Sequence, residues 1–586
     1  MAKRWRIRPH DPERIAALQQ AARLPPVLAQ LLVCRGIDRA DDARRFLEPK
    51  LVDLRPPDLL PGCTEAAARI HAAVQAGQRV VIYGDYDVDG ITGAAILHKC
   101  LKLLGGNVAY HIPHRIDEGY GLHGETISGK LAADGTNLVV TVDCGITGVE
   151  AAQTARRCGI ELIVTDHHEP GAELPQAAAI VHPRLPGTSY PFGGLSGSGV
   201  ALKLAWAICQ KASGGVRVSE PMRDFLVEAV ALAALGTVAD VVPLVDENRV
   251  LVREGLNRLQ KNAGPGLLAL LKAAKISEKK TDSEDVSYLL APRLNAAGRF
   301  GQALLAVELL LTEKPDRAKE LADYIENLNS SRQTVERSMY LAAVKMADEQ
   351  FDPDRDGALV LAHADWSPGI LGIVAGRLAE KYNRPTILIG WKSTGIGQGS
   401  GRSAAGVNLH AALSACGDHL VGYGGHAKAV GLRIEEPKLE AFRAAFCEQA
   451  AEQIGQQTPV DDLEIDAEAP LAQLTYEVVN QVERMGPFGQ GNPRPLLCAT
   501  GVTLGQPPRL MGGGNRHLSL QLQQHGVSVR GIAFGGCDWA DPIAKVAGPL
   551  DVAYRPVINE FNGRRSVELR LVDWRPTAVE SPGGPR

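Results

Sequence analysis

Three aspartates stand at alternate positions of a short segment, as Asp85, Asp87 and Asp89, and Gly90 closes the pattern. A calcium-binding EF-hand loop starts in a similar way, but its twelfth position must be a glutamate. Counted from Asp85, that position is Ile96, so the EF-hand interpretation fails. A solvated acidic turn is the simpler explanation of one such motif taken alone. A role in chemistry therefore depends on which other residues join it.

Further carboxylates and two histidines follow other predicted elements. Asp143 comes after one apolar run, the triplet Asp166-His167-His168 comes after another, and Asp240 follows an alanine-rich helix. Carboxylates that share one crevice repel each other unless cations neutralise them. Oxygen ligands with one or two imidazoles suit Mg²⁺ or Mn²⁺ better than zinc. A pair of such ions would activate water and hold a phosphoryl group, so these residues predict a two-metal centre.

The predicted elements place these side chains at the ends of strands. β-Branched runs at 80–83, 138–142 and 162–164 alternate with helical stretches. That alternation predicts a parallel, doubly wound sheet. Because ligands of such sheets bind at the carboxyl ends of the strands, the fold is expected to bring the acidic residues together.

The rest of the chain adds a helical region and two further domains. Residues 316–350 form either one helix, at about 1.5 Å per residue some 50 Å long, or an ordinary pair of surface helices. A second α/β domain begins near residue 358, and its glycine-dense stretch 395–406 would let the backbone approach a phosphate closely. From residue 463 onward, short strands with turn residues predict a small β-barrel or sandwich.

Composition limits the classes of function. A chain of 586 residues is expected to form three or four domains, and its net charge of −4 means that nucleic-acid binding would depend on local basic patches. None of the ten cysteines stands in a CxxC spacing, which disfavours a structural zinc site and fits free thiols in a reducing compartment. The sequence shows no signal peptide and no apolar run of membrane-spanning length, so we expect a cytoplasmic protein without a membrane partner.

In their order along the chain, these motifs resemble those of the DHH phosphoesterase family. The segment 293–299 is similar to a motif of the RecJ branch, and the segments 400–403 and 424–426 resemble the DHH-associated domain. His182 and Val430 depart from the family's usual residues, but neither is a proposed ligand. The segments that carry the resemblance are residues 84–92, Asp143, residues 166–168 and 236–244 for the DHH motifs, residues 293–299 for the RecJ branch, and residues 400–403 and 424–426 for the associated domain.

The resemblance implies an α/β fold with a parallel-sheet DHH domain and a second α/β DHH-associated domain. Long helices would join the two, and a C-terminal OB-like β-barrel would follow. The implied segments are an N-terminal segment 1–60, a DHH catalytic domain 61–300, connecting helices 301–352, a DHH-associated domain 353–458, an OB-like nucleic-acid-binding domain 459–576 and a loose tail 577–586.

The resemblance also assigns roles at the metal centre. Asp87 and Asp143 would bind one ion, with Asp85 beside or on it. His168 would face the scissile phosphate, and Asp166 would orient an imidazole or cap the next helix. Asp143 would bridge the two ions, because the second ion would be held by Asp89, Asp143, His167 and Asp240.

Substrate contacts are expected from arginines and glycine-rich segments. Arg293 and Arg299 bracket Asn295, and guanidinium forks suit phosphate oxygens near metal ions. An interdomain salt bridge is the alternative for either arginine. Asn295 and Arg299 are assigned to catalysis together with His168 and Asp166, and Arg115 and Arg402 are expected to hold a terminal 5′ phosphate. The predicted substrate-binding residues are Arg115, Arg293, Ser400, Arg402, Ser403, Gly425 and His426.

The function implied by the resemblance is a metal-dependent 5′→3′ exonuclease of DNA repair and recombination. It would hydrolyse single-stranded DNA to 5′-mononucleotides with two Mn²⁺ or Mg²⁺ ions, as a cytoplasmic monomer. A single-strand-binding protein and a RecQ-like helicase are the implied partners. Two alternatives stay open: a DHH phosphodiesterase for small or cyclic nucleotides, and a non-catalytic DNA-binding scaffold.

Overall fold

The computed structural model describes residues 3–115, 117–261, 263–352, 355–391, 395–455, 462–561 and 563–578. Residues 579–586 of the predicted tail lie outside the described residues. The chain forms two compact units, and no described helix has both the length and the apolar character needed to cross a bilayer. The first unit comprises Met1–Leu54, Pro243–Arg253 and Val460–Arg586, and the second comprises Arg55–Val242 and Glu254–Pro459.

The described residues contain the following strands and helices. The strands are β1 Arg4–Ile7, β2 Val80–Gly84, β3 Val108–His111, β4 Leu138–Val142, β5 Glu161–Thr165, β6 Ala179–Val181, β7 Leu359–His363, β8 Thr386–Trp391, β9 Ile396–Arg402, β10 Gly422–His426, β11 Ala429–Glu435, β12 Asp462–Ile465, β13 Ala467–Glu468, β14 Leu497–Leu504, β15 Arg509–Met511, β16 His517–Gln524, β17 Val527–Ala533, β18 Leu550–Phe561 and β19 Arg564–Pro576. The helices are α1 Pro12–Ala22, α2 Pro26–Val33, α3 Ala40–Leu47, α4 Cys63–Gln75, α5 Val88–Leu103, α6 Gly124–Thr126, α7 Val149–Arg157, α8 Gly197–Ser213, α9 Glu220–Ala239, α10 Asp246–Arg258, α11 Pro265–Ala273, α12 Ser283–Asp285, α13 Ala291–Arg299, α14 Ala303–Leu311, α15 Pro315–Gln350, α16 Pro368–Tyr382, α17 Leu409–Ala415, α18 Leu439–Gly455, α19 Tyr476–Glu483 and α20 Ala540–Ala544.

A five-stranded parallel sheet forms the first part of the second unit. Its strand order is β3-β2-β4-β5-β6, and every pairing is parallel. All residues of β2 and β4 are buried, as expected for strands that helices cover on both faces. Helix α5, which follows the acidic segment, packs against α8 and α9. The predicted parallel-sheet domain is therefore confirmed.

The helical region contains one long helix rather than a pair. Helix α15 has 36 residues, so it is about 54 Å long at about 1.5 Å per residue. It begins at Pro315, a first-turn position where proline needs no amide hydrogen. Its first half packs against α11, α13 and α14, and its later part packs against α16. It thereby joins the parallel-sheet domain to the second α/β domain.

The second α/β domain has a mixed five-stranded sheet of order β10-β11-β9-β8-β7. Only β7 and β8 are parallel. The glycine-dense stretch contains strand β9, and its alternate glycines have a packing role. A Cβ added at Gly401 would lie 2.5 Å from Ile387 Cδ1, and one at Gly399 would lie 2.7 Å from Leu432 Cδ1. Glycine is needed there because apolar side chains of neighbouring strands occupy that space.

The first unit contains the predicted C-terminal β-barrel. Strands β14, β18, β19, β17 and β16 pair in that order, and a further β14–β16 pairing closes the ring. Strand β1 pairs in parallel with β12, so the N-terminal segment belongs to this unit. The buried Arg249 donates hydrogen bonds to the carbonyl oxygens of Phe46, Met485 and Gly486, which links all three stretches of the unit. Burial lowers the pKa of Arg249 to about 9, and nearby arginines contribute.

Candidate metal centre

The acidic side chains emerge from three neighbouring strands of the parallel sheet. Asp85 directly follows β2, Asp143 directly follows β4 and Asp166 directly follows β5. Because β2, β4 and β5 are adjacent and parallel, their carboxyl ends lie at one edge of the sheet. The three aspartates therefore lie next to each other along this edge of the sheet.

Asp87 begins helix α5 as its N-cap. Its Oδ1 accepts hydrogen bonds from the amides of Asp89 at 2.9 Å and Gly90 at 3.1 Å. Such a cap satisfies amides that have no partner inside the helix. The carboxylate still takes part in a cluster, because a ligand atom of Asp87 lies within 4.8 Å of ligand atoms of Asp85 and Asp143.

A second cluster forms around His167. Its Nε2 lies 3.0 Å from Asp143 Oδ1, 3.4 Å from Asp240 Oδ2 and 3.9 Å from Asp89 Oδ2. Adjacent ligands of an octahedral ion with bonds of about 2.1 Å lie about 3 Å apart, so the two shorter distances suit ligands that share an ion. Asp143 is near both clusters and can connect them.

The donor atoms fit divalent cations, since several lack a hydrogen-bond partner among the described residues. These buried atoms, which lie close to one another, are Asp85 Oδ1, Asp143 Oδ1, His167 Nε2 and Asp240 Oδ2. Burial and the neighbouring Asp89 and Asp87 together raise the pKa of Asp240 to about 9. Burial and the other carboxylates also raise the pKa values of Asp85 and Asp143. Hard cations would relieve this repulsion, and five aspartates with one imidazole suit Mg²⁺ or Mn²⁺.

Asp89 is a candidate ligand whose two carboxylate oxygens both accept hydrogen bonds from backbone amides. Its Oδ2 accepts a hydrogen bond from the amide of Gly197 at 2.5 Å, and its Oδ1 accepts one from Ser198 at 3.0 Å. These two residues begin helix α8. Amides at a helix N-terminus favour a negative charge, so α8 stabilises Asp89 as a carboxylate.

Asp166 is fully engaged in orienting its neighbours. Its Oδ2 accepts from the amide of Ile146 at 2.9 Å, and its Oδ1 accepts from the amide of His167 at 2.7 Å and from His168 Nδ1 at 2.8 Å. Burial disfavours the charged carboxylate, but these hydrogen bonds outweigh it and lower the pKa of Asp166 to about 2. Because the carboxylate accepts, His168 Nδ1 carries a proton and its Nε2 is the nitrogen left for a substrate.

Tyr120 also contacts this pair. Its hydroxyl donates to the carbonyl oxygen of Asp143 at 3.2 Å and lies 3.0 Å from His168 Nδ1. Asp143 has a φ of +64°, a left-handed conformation that is uncommon for residues other than glycine. The Tyr120 hydroxyl thus supports a strained residue between the two clusters.

Three of the predicted arginines lie around the metal centre. The Arg115 guanidinium is 4.6 Å from the centre of the Tyr86 ring, within the acidic segment. Arg299 Nη1 donates to the carbonyl of Gly369 at 2.7 Å, and Arg402 Nη1 donates to the carbonyl of Gly401 at 2.7 Å. Burial and the nearby charges of Arg115, Arg332 and Arg402 together lower the pKa of Arg299 to about 9. This mutual effect indicates a concentration of positive charge close to the carboxylates.

The other predicted substrate residues differ in their surroundings. Arg293 forms an ion pair with Glu326 at 2.5 Å, so binding a phosphate would require that pair to break. Ser403 Oγ donates to the carbonyl of Val407, and Ser400 lies beside Arg402 in β9. Gly425 and His426 are exposed in β10, and Asn295 lines a cavity that Ala239 and Val241, the neighbours of Asp240, also line.

Comparisons with known proteins agree with this geometry. The DHH family, N-terminal domain, matches residues 79–237, the DHHA1 domain matches residues 355–452, and the RecJ OB domain matches residues 465–573. The single-stranded-DNA-specific exonuclease RecJ of Escherichia coli strain K12 is 35% identical over 563 residues, which cover 94% of this chain and 95% of the relative. The chain belongs to the RecJ family.

Solved RecJ structures support the same assignment of the fold. RecJ from Thermus thermophilus in complex with Mn²⁺ has a TM-score of 0.83 and 34% identity, covering 99% of this chain and 81% of that one. The Mg²⁺ complex of RecJ from the same organism has a TM-score of 0.77 and 32% identity, covering 98% and 79%. The mixed α/β architecture with DHH, DHHA1 and OB domains is therefore confirmed.

Two residues near the RecJ metal centre were not singled out from the sequence. Tyr120 stands five residues after Arg115, but its partner is a main-chain carbonyl, which leaves no trace in the sequence. Arg332 lies in the middle of α15, where an arginine in a helix would ordinarily be solvated, yet only 9% of it is exposed. A buried arginine can be recognised only once the packing of its helix is known.

Proposed function

We propose that this RecJ-family chain is a two-metal exonuclease that hydrolyses single-stranded DNA from the 5′ end and releases 5′-mononucleotides in DNA repair and recombination. The observation that carries the proposal is a cluster of buried ligand atoms that have no hydrogen-bond partner among the described residues, on Asp85, Asp143, His167 and Asp240. Such a cluster is unfavourable without cations and is suited to phosphoryl chemistry with them.

Each of two Mn²⁺ or Mg²⁺ ions would be held by its own group of side chains. Asp85, Asp87 and Asp143 would hold one ion, and Asp143 would also contribute to the second. Bound ions of this kind activate water and neutralise charge on a phosphoryl group. The second group consists of Asp89, His167 and Asp240.

The protein's own contribution at the scissile phosphate would come from His168, with Asp166 as its positioning residue. Asp166 fixes the proton on His168 Nδ1, so the Nε2 faces outward from the half-exposed ring. Burial works against the imidazolium, but the Asp166 hydrogen bond and the nearby Asp87 and Asp85 raise the pKa of His168. A protonated Nε2 can donate a hydrogen bond to a phosphate oxygen.

The 5′ end would be held by the second α/β domain together with Arg115. Arg402 and Ser400 project from neighbouring positions of β9, and His426 ends the edge strand β10. Burial lowers the pKa of Arg299 and the charges of Arg115 and Arg402 contribute, which supports a shared cluster of positive charge there. A phosphate anchored by these groups would set the direction of degradation, because only a strand end could reach them.

We also propose the domain limits, the location and the partners of the protein. We propose the domain limits given above, 61–300, 353–458 and 459–576, with the OB-like domain holding single-stranded DNA by charge and base stacking. Every described cysteine is a free thiol, which supports a reducing, cytoplasmic location. We propose that the protein is a monomer and that it works with a single-strand-binding protein and a RecQ-like helicase.

One assay tests this function. A long 5′-phosphorylated single strand, its duplex and a cyclic dinucleotide are each incubated with the protein in Mn²⁺ or in a chelator. We expect mononucleotide release from the single strand alone, and only with Mn²⁺. Cleavage of the cyclic dinucleotide alone would identify a small-nucleotide phosphodiesterase instead, and binding without cleavage would identify a scaffold.

The polarity is tested on the same strand. Wild type should prefer a 5′-phosphoryl end to a 5′-hydroxyl end, and Arg402→Ala should lose that preference. Arg433→Ala is a matched control, because Arg433 lies on the neighbouring strand β11 and is exposed. An unchanged preference in Arg402→Ala would refute the 5′-phosphate anchor.

A further inference from the structure

A cavity of about 220 Å³ lies beside the metal centre. Ala239 and Val241 in its wall flank Asp240, a candidate ligand, and the rest of its lining comes from the segment 287–299, from α15 and from α16. Among the described residues, the lining includes the guanidinium groups of Arg299 and Arg332 and no acidic side chain. A cavity of this size and charge suits a phosphate group with an attached sugar.

Arg332 gives this cavity a buried positive charge. Its Nη1 donates to Glu336 Oε2 at 2.8 Å and its Nη2 donates to Asn329 Oδ1 at 3.1 Å, while its buried Nε has no partner among the described residues. Glu336 is shared with a second arginine, Arg377, at 3.1 Å. One carboxylate thus faces two guanidinium groups, and their charge is only partly neutralised.

Arg299 adds a second charge at the same cavity. Its hydrogen bond is to a neutral carbonyl, that of Gly369, and within the described part of the chain no ion pair joins it to a carboxylate. Glu336 attracts the buried charge of Arg299, but Arg332 and Arg377 already share that carboxylate, so the protein compensates this charge only in part and a bound anion would stabilise it.

The cavity wall contains a strained residue. Val241 has a φ of +59°, which is a rare conformation for a β-branched side chain, and 66% of it is exposed. Strain of this kind persists where the surrounding structure fixes it, often at a binding site. This backbone conformation holds the apolar Val241 side chain at the cavity wall, where a sugar could pack against that side chain.

We propose that this cavity binds the phosphodiester group that follows the scissile one toward the 3′ end of the strand, with Arg299 and Arg332 as its positive charges. The inference rests on the proposed exonuclease function. Arg115 lies at Tyr86, next to Asp85 and Asp87, whereas the cavity lies beside Asp240 of the other ligand group. A strand held by its 5′ phosphate near Arg115 would cross the carboxylates and continue into the cavity.

The test compares substrates that differ by one phosphodiester. A 5′-phosphorylated dinucleotide has only the scissile diester, while a trinucleotide has one more, which the cavity would bind. We expect kcat/KM of Arg332→Gln to fall about tenfold more on the trinucleotide and longer strands than on the dinucleotide, since a charged contact is lost. Arg332→Lys should recover most of this difference, and the exposed Arg337→Gln on the same helix should show none.

A second pair of variants avoids the buried arginine. Val241→Glu and Val241→Lys change only the charge of an exposed wall position, so both should fold. Glutamate should lower kcat/KM on the trinucleotide relative to the dinucleotide, and lysine should raise it. Equal changes on both substrates, or none in any variant, would overturn the subsite.

Two further outcomes are separated by the same experiments. If the cavity instead holds the released mononucleotide, Arg332→Gln would weaken inhibition by a 5′-mononucleotide without any dependence on substrate length, and this would overturn the assignment to the diester. If wild type cleaves none of the strands, the proposed function fails. The subsite is then judged by fluorescence anisotropy with labelled dinucleotide and trinucleotide in chelator, where Arg332→Gln must weaken only the trinucleotide.

Discussion

At the scale of single residues, the metal centre separates side chains that face cations from side chains that hold them in place. Asp143 and His167 have buried ligand atoms that lack a hydrogen-bond partner among the described residues. Asp166 has no such ligand atom, since both of its oxygens accept hydrogen bonds. The two classes should respond differently to substitution, because losing a ligand weakens metal binding while losing a positioning group alters orientation.

Replacement of Asp166 by asparagine tests this separation. We expect Asp166→Asn to lower kcat about 10- to 100-fold, because His168 loses its oriented proton. Its affinity for Mn²⁺, measured by calorimetry, should stay close to that of wild type. Asp240→Asn is the comparison and should weaken Mn²⁺ binding. Similar losses of affinity in the two variants would contradict the assigned roles.

Removal of the Tyr120 hydroxyl tests its support of Asp143 and His168. Tyr120→Phe keeps the ring, whose centre lies 5.4 Å from that of His168, and leaves the Asp143 carbonyl without this donor. We expect kcat to fall about tenfold with little change in KM or in the melting temperature, since one hydrogen bond is lost. Tyr324→Phe is the control, because Tyr324 is 44% exposed and Tyr120 is 45% exposed. A change in KM alone would assign Tyr120 to substrate binding.

At the scale of elements, the end of α13 is packed tightly between the acidic segment and α16. A Cβ added at Gly298 would lie 2.6 Å from the carbonyl oxygen of Tyr86, and one at Gly369 would lie 2.6 Å from the carbonyl oxygen of Arg299. Both distances are shorter than carbon and oxygen atoms can tolerate. These two glycines therefore fix how closely the second α/β domain approaches the metal segment.

Gly369→Ala should disturb that approach. We expect a loss of about 1–3 kcal/mol in the free energy of unfolding, as for other overpacked sites, together with a lower kcat/KM on single strands. Gly376→Ala on the same helix is the control, because its Cβ would meet Arg402 Cγ at an ordinary 3.7 Å. That change should be neutral or stabilising by about 0.5–1 kcal/mol. Denaturant unfolding measures both, and equal effects would contradict the tight packing at Gly369.

How much of the fold could be predicted from the sequence differs between its elements. Strands β2 and β4 were predictable because buried β-branched runs precede Asp85 and Asp143, but the order of the strands was not predicted, because it depends on pairing between segments distant in sequence. The single helix α15 was one of two alternatives, since its pattern of apolar residues does not show whether a break occurs. A salt bridge was the stated alternative for Arg293, but its partner Glu326 and the packing role of Gly401 were not predicted, because both depend on residues that are distant in sequence.

At the scale of the whole molecule, the metal centre depends on the balance between acidic side chains and positive charges. The second unit gathers five candidate ligand aspartates and two histidines near the end of one sheet, and arginines from a loop, from α13, from α15 and from β9 add positive charge nearby. Asp240, with a pKa of about 9, shows how unfavourable this arrangement is for the protein without cations. Metal binding is therefore the central requirement of the proposed function, since both the stability of the centre and its chemistry depend on it.

The most direct test is the number of Mn²⁺ ions that the metal-free protein binds, followed by electron paramagnetic resonance during titration. The account predicts two ions per chain with the magnetic coupling of a close pair, and loss of that coupling in Asp143→Asn, because Asp143 would bridge the two. A single uncoupled ion in wild type, or coupling that persists in Asp143→Asn, would contradict a two-metal centre built on these carboxylates.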